Sequence, residues 1–307
     1  MRGLTLDSVF EHSAQKMREN GLSEAAIQQF KCSYDVWNSS EATGWIREDD
    51  VDPLTNVPCF HEIYETIDHD KAVHAFAKTA FIKLNGGLGT SMGLAKAKSL
   101  LMVRRHKAKK MRFLDIIIGQ VLTARNRLHV DLPLIFMNSF RTSEDTRKVL
   151  SSYRKFVQED IPVEVLQHQI PKIVEETGKP AEFSSNPDME WCPPGHGDLF
   201  ISLWESGVLD TLQQKGIEYL FISNADNLGA RPSRTLAQYF ENTGASMMIE
   251  VAVRTQADRK GGHIVCDKKT GRLILREMTQ VHSEDSRKAQ NIHRHKYFNT
   301  NNIWIRI

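Results

Sequence analysis

Residues 81–99 read FIKLNGGLGTSMGLAKAKS and crowd four of the chain's 18 glycines into positions 86–93. Even scatter would leave roughly half a glycine in a stretch of that length. Glycine admits positive φ and lets a ligand approach the main chain with no Cβ in the way. A strand-to-helix turn built this way aims free N–H groups at an anion. The chemistry indicated is phosphate binding, strengthened by Lys96 and Lys98, which follow closely enough to meet the same phosphates. The spacing satisfies neither G-x-x-x-x-G-K-[ST] nor G-x-G-x-x-G, because Gly87-x-Gly89 is followed by Met92 and Gly93. ATPase and dehydrogenase readings therefore lose their main support. A glycine turn needed only for tight packing is the plain alternative.

Two further segments carry groups suited to the same chemistry. WCPPGHGD, residues 191–198, holds a histidine between two glycines after two prolines that fix the chain. YLFISNADNLG, residues 219–229, reads as a buried strand ending in a polar turn. A carboxylate at such a strand end, here Asp226, is where an α/β enzyme would hold Mg2+ against a nucleotide phosphate. Taken singly, Asp226 reads as well as an Asx-turn residue, and His196 as a hydrogen-bonded loop histidine.

The elements that must position these groups follow from the pattern of apolar residues. From residue 81 onward, short β-prone runs (AFIKL, PLIFMNS, PVEVLQ, YLFISN, SMMIEVAV, HIVCD, RLILRE, NNIWIRI) alternate with amphipathic stretches such as 100–125 and 233–243. Strands alternating with helices predict βαβ units around a mainly parallel sheet, with the site where strands end in loops. Ahead of them, residues 1–40 have helical spacing, including a second helix capped by Ser23, and 41–75 read as an acidic, loop-rich connection. The expected division is a helical and loop-rich extension over 1–75 and a larger unit over 76–307.

Composition narrows the possibilities. The 307 residues are 40% hydrophobic and 25% charged with a formal net charge of +2, a globular composition with no general affinity for polyanions. The basic run at 104–112 lacks interleaved aromatics and is expected to be a solvated helix face, so no nucleic-acid partner is expected. Four scattered cysteines form no disulfide framework or zinc spacing; His282, His293 and His295 are not expected to bind zinc, and the alternating pair His293 and His295 is expected to face solvent. Without an apolar leader or a run of about 18 apolar residues, the expectation is a soluble cytoplasmic protein with no membrane partner.

Taken in order, LNGGLGTSMG with its trailing AKS, FMNSFRT, Gln167-x-x-x-Pro171, PPGHGD, SNADNLGA and FNTNNIW closely resemble the UTP–glucose-1-phosphate uridylyltransferase family, also called UDP-glucose pyrophosphorylases. The resemblance implies a Rossmann-like, glycosyltransferase-A-like nucleotidyltransferase fold. It also implies a reaction of UTP with glucose 1-phosphate, giving UDP-glucose and pyrophosphate by direct attack on the α-phosphorus. By that similarity Leu84, Asn85, Gly86 and Gly87 hold the nucleotide, Lys98 contacts its phosphates, Gln167 reads uracil and Gly195 lies beside the base and ribose. His196 contacts the sugar phosphate, Asn224, Ala225 and Asp226 complete the nucleotide site, and Asp226 coordinates Mg2+. Glu277, Asn301 and Asn302 look like glucose-hydroxyl contacts. Catalysis is thereby expected of Lys98, His196 and Asp226.

The related UDP-N-acetylhexosamine enzymes are similar but typically carry arginine where Ser91 stands, which favours glucose. The eukaryotic CKGPKS is LAKAKS here, keeping the terminal Lys-Ser but moving the earlier lysine to Lys96. The family normally continues past the NTNN strand with helices, a second essential lysine and a β-helix domain, so the catalytic unit over 76–307 is expected to be C-terminally incomplete. Two alternatives accompany the resemblance: a homologue that binds uridine nucleotide without turnover, and a pyrophosphorylase for another sugar 1-phosphate.

Overall fold

The computed structural model describes residues 6–39, 44–89, 96–106 and 109–307. The chain begins with α1 (Leu6–Glu19) and α2 (Glu24–Asn38), then β1 (Val51–Pro53), α3 (Phe60–Thr66), α4 (His69–Ala77) and β2 (Thr79–Leu84). A hairpin of β3 (Met102–His106) and β4 (Lys109–Arg112) leads into α5 (Phe113–Leu128), β5 (Leu134–Asn138), α6 (Ser143–Leu150) and β6 (Glu164–Leu166). Next come β7 (Ile170–Pro171), β8 (Trp191–Cys192), α7 (Leu199–Glu205), α8 (Val208–Gln214), β9 (Tyr219–Asn224) and α9 (Arg234–Thr243). The last elements are β10 (Met247–Val253), β11 (His263–Asp267), β12 (Leu273–Arg276), α10 (Ser286–Ala289) and β13 (Tyr297–Arg306).

The central sheet runs β1-β11-β13-β9-β2-β5-β6, with β10 added to β13 and β12 to β11. Strands β9, β2, β5 and β6 are parallel, and β13 turns the rest of the sheet antiparallel. In β2 every residue is buried, the mark of a strand covered on both faces. Its side chains alternate between two cores. Phe81 packs with Leu114, Ile118, Phe136, Phe221 and Phe240 beneath α5 and α9. Ala80, Ile82 and Leu84 pack with Ile135, Leu199, Leu203, Leu212 and Ile222 beneath α7 and α8. The buried charge in this strand is Lys83, whose Nζ donates to Ser223 Oγ at 2.7 Å and Ala230 O at 2.8 Å. Burial pushes its pKa down to about 8, with the charge of Glu250 opposing.

After β2 the chain goes first to β5 on one side and later to β9 on the other. The direction of winding therefore reverses at β2, and in open α/β sheets the crevice at such a reversal, beyond the carboxyl ends of the strands, receives the ligand. The register aligns Leu84 with Met137 and with Asn224, so three strand ends finish side by side.

α1 and α2 form a third core in which Phe10, Met17, Ile27, Phe30 and Tyr34 pack on Trp191. As expected, Ser23 caps α2, its Oγ accepting the Ala26 N–H at 3.1 Å. Two expectations are corrected. The stretch 41–75 is not all loop: it holds α3 and the start of α4, where the Asp68 carboxylate accepts the N–H groups of Asp70 and Lys71. The helix expected over 100–125 starts only at Phe113. Its first turn is set by Asp115 accepting the Arg112 N–H at 2.8 Å, and the basic run before it forms the β3–β4 hairpin in place of a helix face. Among the described residues no helix is long and apolar enough to cross a membrane.

Candidate active site

Beyond the ends of β2, β5 and β9 lies a cavity of about 310 Å3. Leu84, Asn85, Gly86, Gly87, Lys98, Gln167, Gly195, His196, Asn224, Ala225 and Asp226 all line it, together with Met137 and Pro193. Five segments far apart in sequence thus meet in one place.

The β2 end is riveted. The Asn85 N–H donates to Met137 O at 2.8 Å, and its side-chain amide donates to Asn138 Oδ1 at 2.7 Å and Thr146 Oγ1 at 3.0 Å. Ser139 Oγ donates to Gly86 O at 2.8 Å. Gly86 has a steric reason to be glycine, since a Cβ there would stand 2.0 Å from Gln167 Nε2. The described part of the loop does not run into a helix as expected. It doubles back, with Gly89 N donating to Lys96 O at 2.9 Å and Lys98 N to Gly87 O at 3.2 Å, and this reversal delivers Lys98 to the cavity. Thr90, Ser91, Met92 and Gly93 lie outside the described residues, so the reading of Ser91 toward glucose has no structural counterpart. The other loop lysine, Lys96, does not line the cavity, and its Nζ lies 3.4 Å from Asp145 Oδ1 on α6.

At the β9 end the backbone is tied to β2 through Ala225 N donating to Leu84 O at 3.0 Å. The Asx-turn duty falls to Asn227, whose Oδ1 accepts the Gly229 N–H at 3.0 Å, which leaves Asp226 free of it. Lys98 Nζ is 3.6 Å from Asp226 Oδ2, and both side chains are more than a third exposed. An exposed pair of this kind is worth under about 1 kcal/mol and can exchange partners with a ligand.

On the opposite wall Gly195 has φ +106° and opens the one-turn helix His196–Asp198, a backbone shape that side-chain-bearing residues rarely adopt. Packing among the cavity walls pushes the pKa of His196 below the ordinary histidine value, with the charge of Asp226 opposing. Asn301, held at φ +58°, lies with Nδ2 2.8 Å from Asn224 Oδ1 and 3.3 Å from His196 Nδ1. A neutral imidazole accepting at Nδ1 keeps its proton on Nε2, a donor suited to phosphate oxygen.

The three residues singled out for glucose hydroxyls divide. Asn301 bonds two lining residues. Asn302 is buried and turned away, donating to Glu250 Oε2 at 2.9 Å and lying 3.4 Å from Asn227 Nδ2. The Glu277 carboxylate packs against Gly262, and its backbone opens a separate 3-10 turn. Neither Asn302 nor Glu277 lines the cavity. Residues behind the walls escaped sequence reasoning, Asn138, Glu164, His168 and Asp198 among them. The one signal for the last was its place in the GHGD string. The histidine expectation is also corrected: His295 does not face solvent but is buried with Nε2 3.0 Å from Glu48 Oε1, whereas His293 is exposed.

Among the described residues no group of three or more His, Cys, Asp or Glu side chains could hold a metal ion. Asp226 is the one carboxylate among the residues lining the cavity, and it is partly exposed. Mg2+ binds commonly through one or two carboxylates, with water and substrate phosphates completing its shell. The donor present thus fits a metal brought in with a nucleotide and not a protein-built cage.

The comparisons bear on the same segments. A family model described as UTP–glucose-1-phosphate uridylyltransferase matches residues 27–307. UTP–glucose-1-phosphate uridylyltransferase 2 of Dictyostelium discoideum is 39% identical over 235 residues, 75% of this chain and 45% of that protein. The Saccharomyces cerevisiae UTP–glucose-1-phosphate uridylyltransferase is 38% identical over 252 residues, covering 80% and 48%. Among solved structures, the Trypanosoma brucei UDP-glucose phosphorylase aligns at TM-score 0.88 and 36% identity, covering 97% of this chain and 62% of that one. A mutant Leishmania major UDP-glucose pyrophosphorylase in complex with UDP-glucose aligns at 0.86 and 36%, covering 98% and 64%. The chain spans about half the length of the curated relatives it matches. Matched by its family model over all but the first 26 residues, the chain belongs to the UTP–glucose-1-phosphate uridylyltransferase family.

Proposed function

We propose that this cavity is a uridylyltransferase site that joins UTP and glucose 1-phosphate into UDP-glucose and pyrophosphate. The observation carrying the reading is that residues of the glycine loop, Gln167, the GHGD turn and the Asn-Ala-Asp turn line one cavity at the reversal point of the sheet. In the reaction a phosphate oxygen of glucose 1-phosphate attacks the α-phosphorus of UTP. The new bond is oxygen to α-phosphorus, and the bond broken releases pyrophosphate, so no covalent enzyme intermediate is needed. Two polyanions must be brought together in line, and catalysis consists of positioning and charge stabilisation.

The chain's own groups suit those tasks. The Asn85 side-chain amide is committed to β5 and α6, so nucleotide contact there falls to the backbone of 85–87. The Gln167 amide, lying where a side chain on Gly86 would stand, can both donate to and accept from the uracil edge. His196 offers Nε2–H to the sugar phosphate. Lys98 leaves Asp226 for the triphosphate, and Asp226 is the residue that would hold Mg2+, whose charge offsets that of the phosphates when bound. Four free thiols fit a reducing compartment, and we assign the reaction to the cytoplasm.

The test is calorimetric titration of the chain with UTP and UDP-glucose in Mg2+, beside a pyrophosphate-release assay with UTP and glucose 1-phosphate. Lys98→Ala should weaken UTP binding roughly 10- to 100-fold, as expected for a charge-assisted contact, and Asp226→Ala should remove the Mg2+ dependence with the fold intact. Absence of uridine-nucleotide binding, or binding indifferent to both substitutions, would overturn the assignment. Binding without pyrophosphate release would favour a non-catalytic nucleotide binder.

A further inference from the structure

Behind the cavity walls, Asp198 is 2% exposed and its carboxylate is fully employed. Oδ2 accepts the backbone N–H of His168 at 2.6 Å and the hydroxyl of Ser202 at 2.9 Å, and Oδ1 lies 2.9 Å from His168 Nδ1. The other ring nitrogen, Nε2, lies 2.8 Å from Glu205 Oε2 at the end of α7. Hydrogen bonding to Asp198, then the charges of Asp198 and Glu205, raise the His168 pKa above its ordinary value against the effect of burial. A protonated ring donates from both nitrogens, one to each carboxylate.

Neither Asp198 nor His168 lines the cavity, but each is joined to a wall that does. His168 follows Gln167, whose own N–H is bound to Asn138 O at 2.9 Å. Asp198 closes the turn opened by Gly195, its N–H donating to Gly195 O at 3.3 Å. Immediately after it, Leu199 and Leu203 of α7 are buried in the same core as Leu84, which anchors the joint to β2. If the pair served only to stabilise the fold, nothing would require it to link these two walls, one on each side of the proposed ligand.

Resting on the uridylyltransferase reading of the cavity, we propose that Asp198 and His168 are positioning residues: their bonds fix the separation of the Gln167 wall from the Gly195 and His196 wall, so that base and sugar phosphate are held at one spacing. UDP-glucose, which spans both walls, should feel the joint most. The charged groups facing the His168 ring are Asp198, ahead of α7, and Glu205, at its end; Ser202 Oγ, 3.5 Å from Nδ1, is neutral.

The experiment is titration of UDP-glucose against the 307-residue chain across pH 6–9, with Asp198→Asn, Glu205→Gln and Gln167→Ala, alongside thermal melts. Asparagine keeps the size and one acceptor but loses the charge, so Asp198→Asn should weaken UDP-glucose binding at least tenfold and abolish the fall in affinity as His168 loses its proton. Glu205→Gln, at the more open side of the ring, should keep the fold and move that fall to lower pH. Gln167→Ala should weaken binding without moving it. A lowered melting temperature in Asp198→Asn with unchanged affinity, or a pH profile unmoved by Glu205→Gln, would overturn the proposal while leaving the cavity reading intact. Failure of the unsubstituted chain to bind UDP-glucose would overturn both.

Discussion

At Gly86 a single hydrogen occupies the space where any other side chain would push its Cβ into the Gln167 amide. The obstructing atom is the far end of a flexible but largely buried side chain, so the strain of Gly86→Ala is relieved by moving Gln167 off the cavity wall. The loss should therefore appear in ligand binding more than in stability. We expect Gly86→Ala to weaken uridine-nucleotide binding about tenfold or more, each lost hydrogen bond to the base being worth roughly 1 kcal/mol and displacement adding to it. Gly87→Ala, with no heavy atom within 4 Å of the new carbon, should change it far less. Equal effects of the two, measured by titration, would contradict the steric account. The glycine crowding was legible in the sequence, but which glycine is irreplaceable was not, because the obstructing residue is 81 positions away.

Elements differ in how much of their cause is local. α2 was legible because its signals are neighbours in sequence: Ser23 accepts the Ala26 N–H, and Ala26, Ile27, Phe30 and Tyr34 form one buried stripe. Ser23→Ala should cost about 1 kcal/mol, the usual range being roughly 0.5–2. Urea unfolding would check it, and an unchanged midpoint would remove the cap from the account of α2. The β3–β4 hairpin was not legible, since its basic residues are shared by solvated helices and exposed strands alike. What decides is that Asp115 starts α5 at Phe113 and leaves the preceding residues to pair with one another. On β13, Asn301 and Asn302 are adjacent letters with opposite fates: Asn302 stands directly across from Glu250 and is bound to it, whereas Asn301, at φ +58° where the β10–β13 register shifts, bonds the cavity wall.

Across the whole molecule, residues near the N-terminus are tied to the far side of the sheet by a buried ionic cluster. β1 pairs with β11, and just before it the 1%-exposed Glu48 accepts from Arg276 and Arg294, each at 2.6 Å, and pairs with His295 at 3.0 Å. Burial would raise the Glu48 pKa, but the hydrogen bonds from Arg276, Arg294 and His295 outweigh it and hold the carboxyl at about 2. His263, its ring tilted against that of His295 with centroids 4.4 Å apart, is pushed the other way for a base, down to about 3, chiefly by burial. Both shifts have one sign for stability: the unfolded chain binds more protons than the folded one, so stability falls with acid. The His263 contribution should fade as pH drops from 6.5 toward 3, and that of Glu48 from 4.5 toward 2. Glu48→Ala should cost on the order of 3–5 kcal/mol by stranding buried cations. Denaturant midpoints measured against pH would test this, and a flat profile between pH 6.5 and 3 would contradict it.

What the sequence by itself determined was the family and the groups on offer for a site: glycines before a lysine, a histidine in a proline-glycine turn and an aspartate at a strand end are properties of short segments, written in residue type and spacing. The runs that became β2, β5 and β9 were equally plain, since burial on both faces demands continuous apolar residues. Tertiary structure alone decided which of the singled-out groups meet. It brought Lys98 within 3.6 Å of Asp226 and paired Lys96 with Asp145, and it left Asn302 and Glu277 outside the cavity lining while tying Asp198 to His168 behind it. Those outcomes depend on sheet register and on packing between segments tens to more than a hundred residues apart, and no local pattern encodes a distance across a fold.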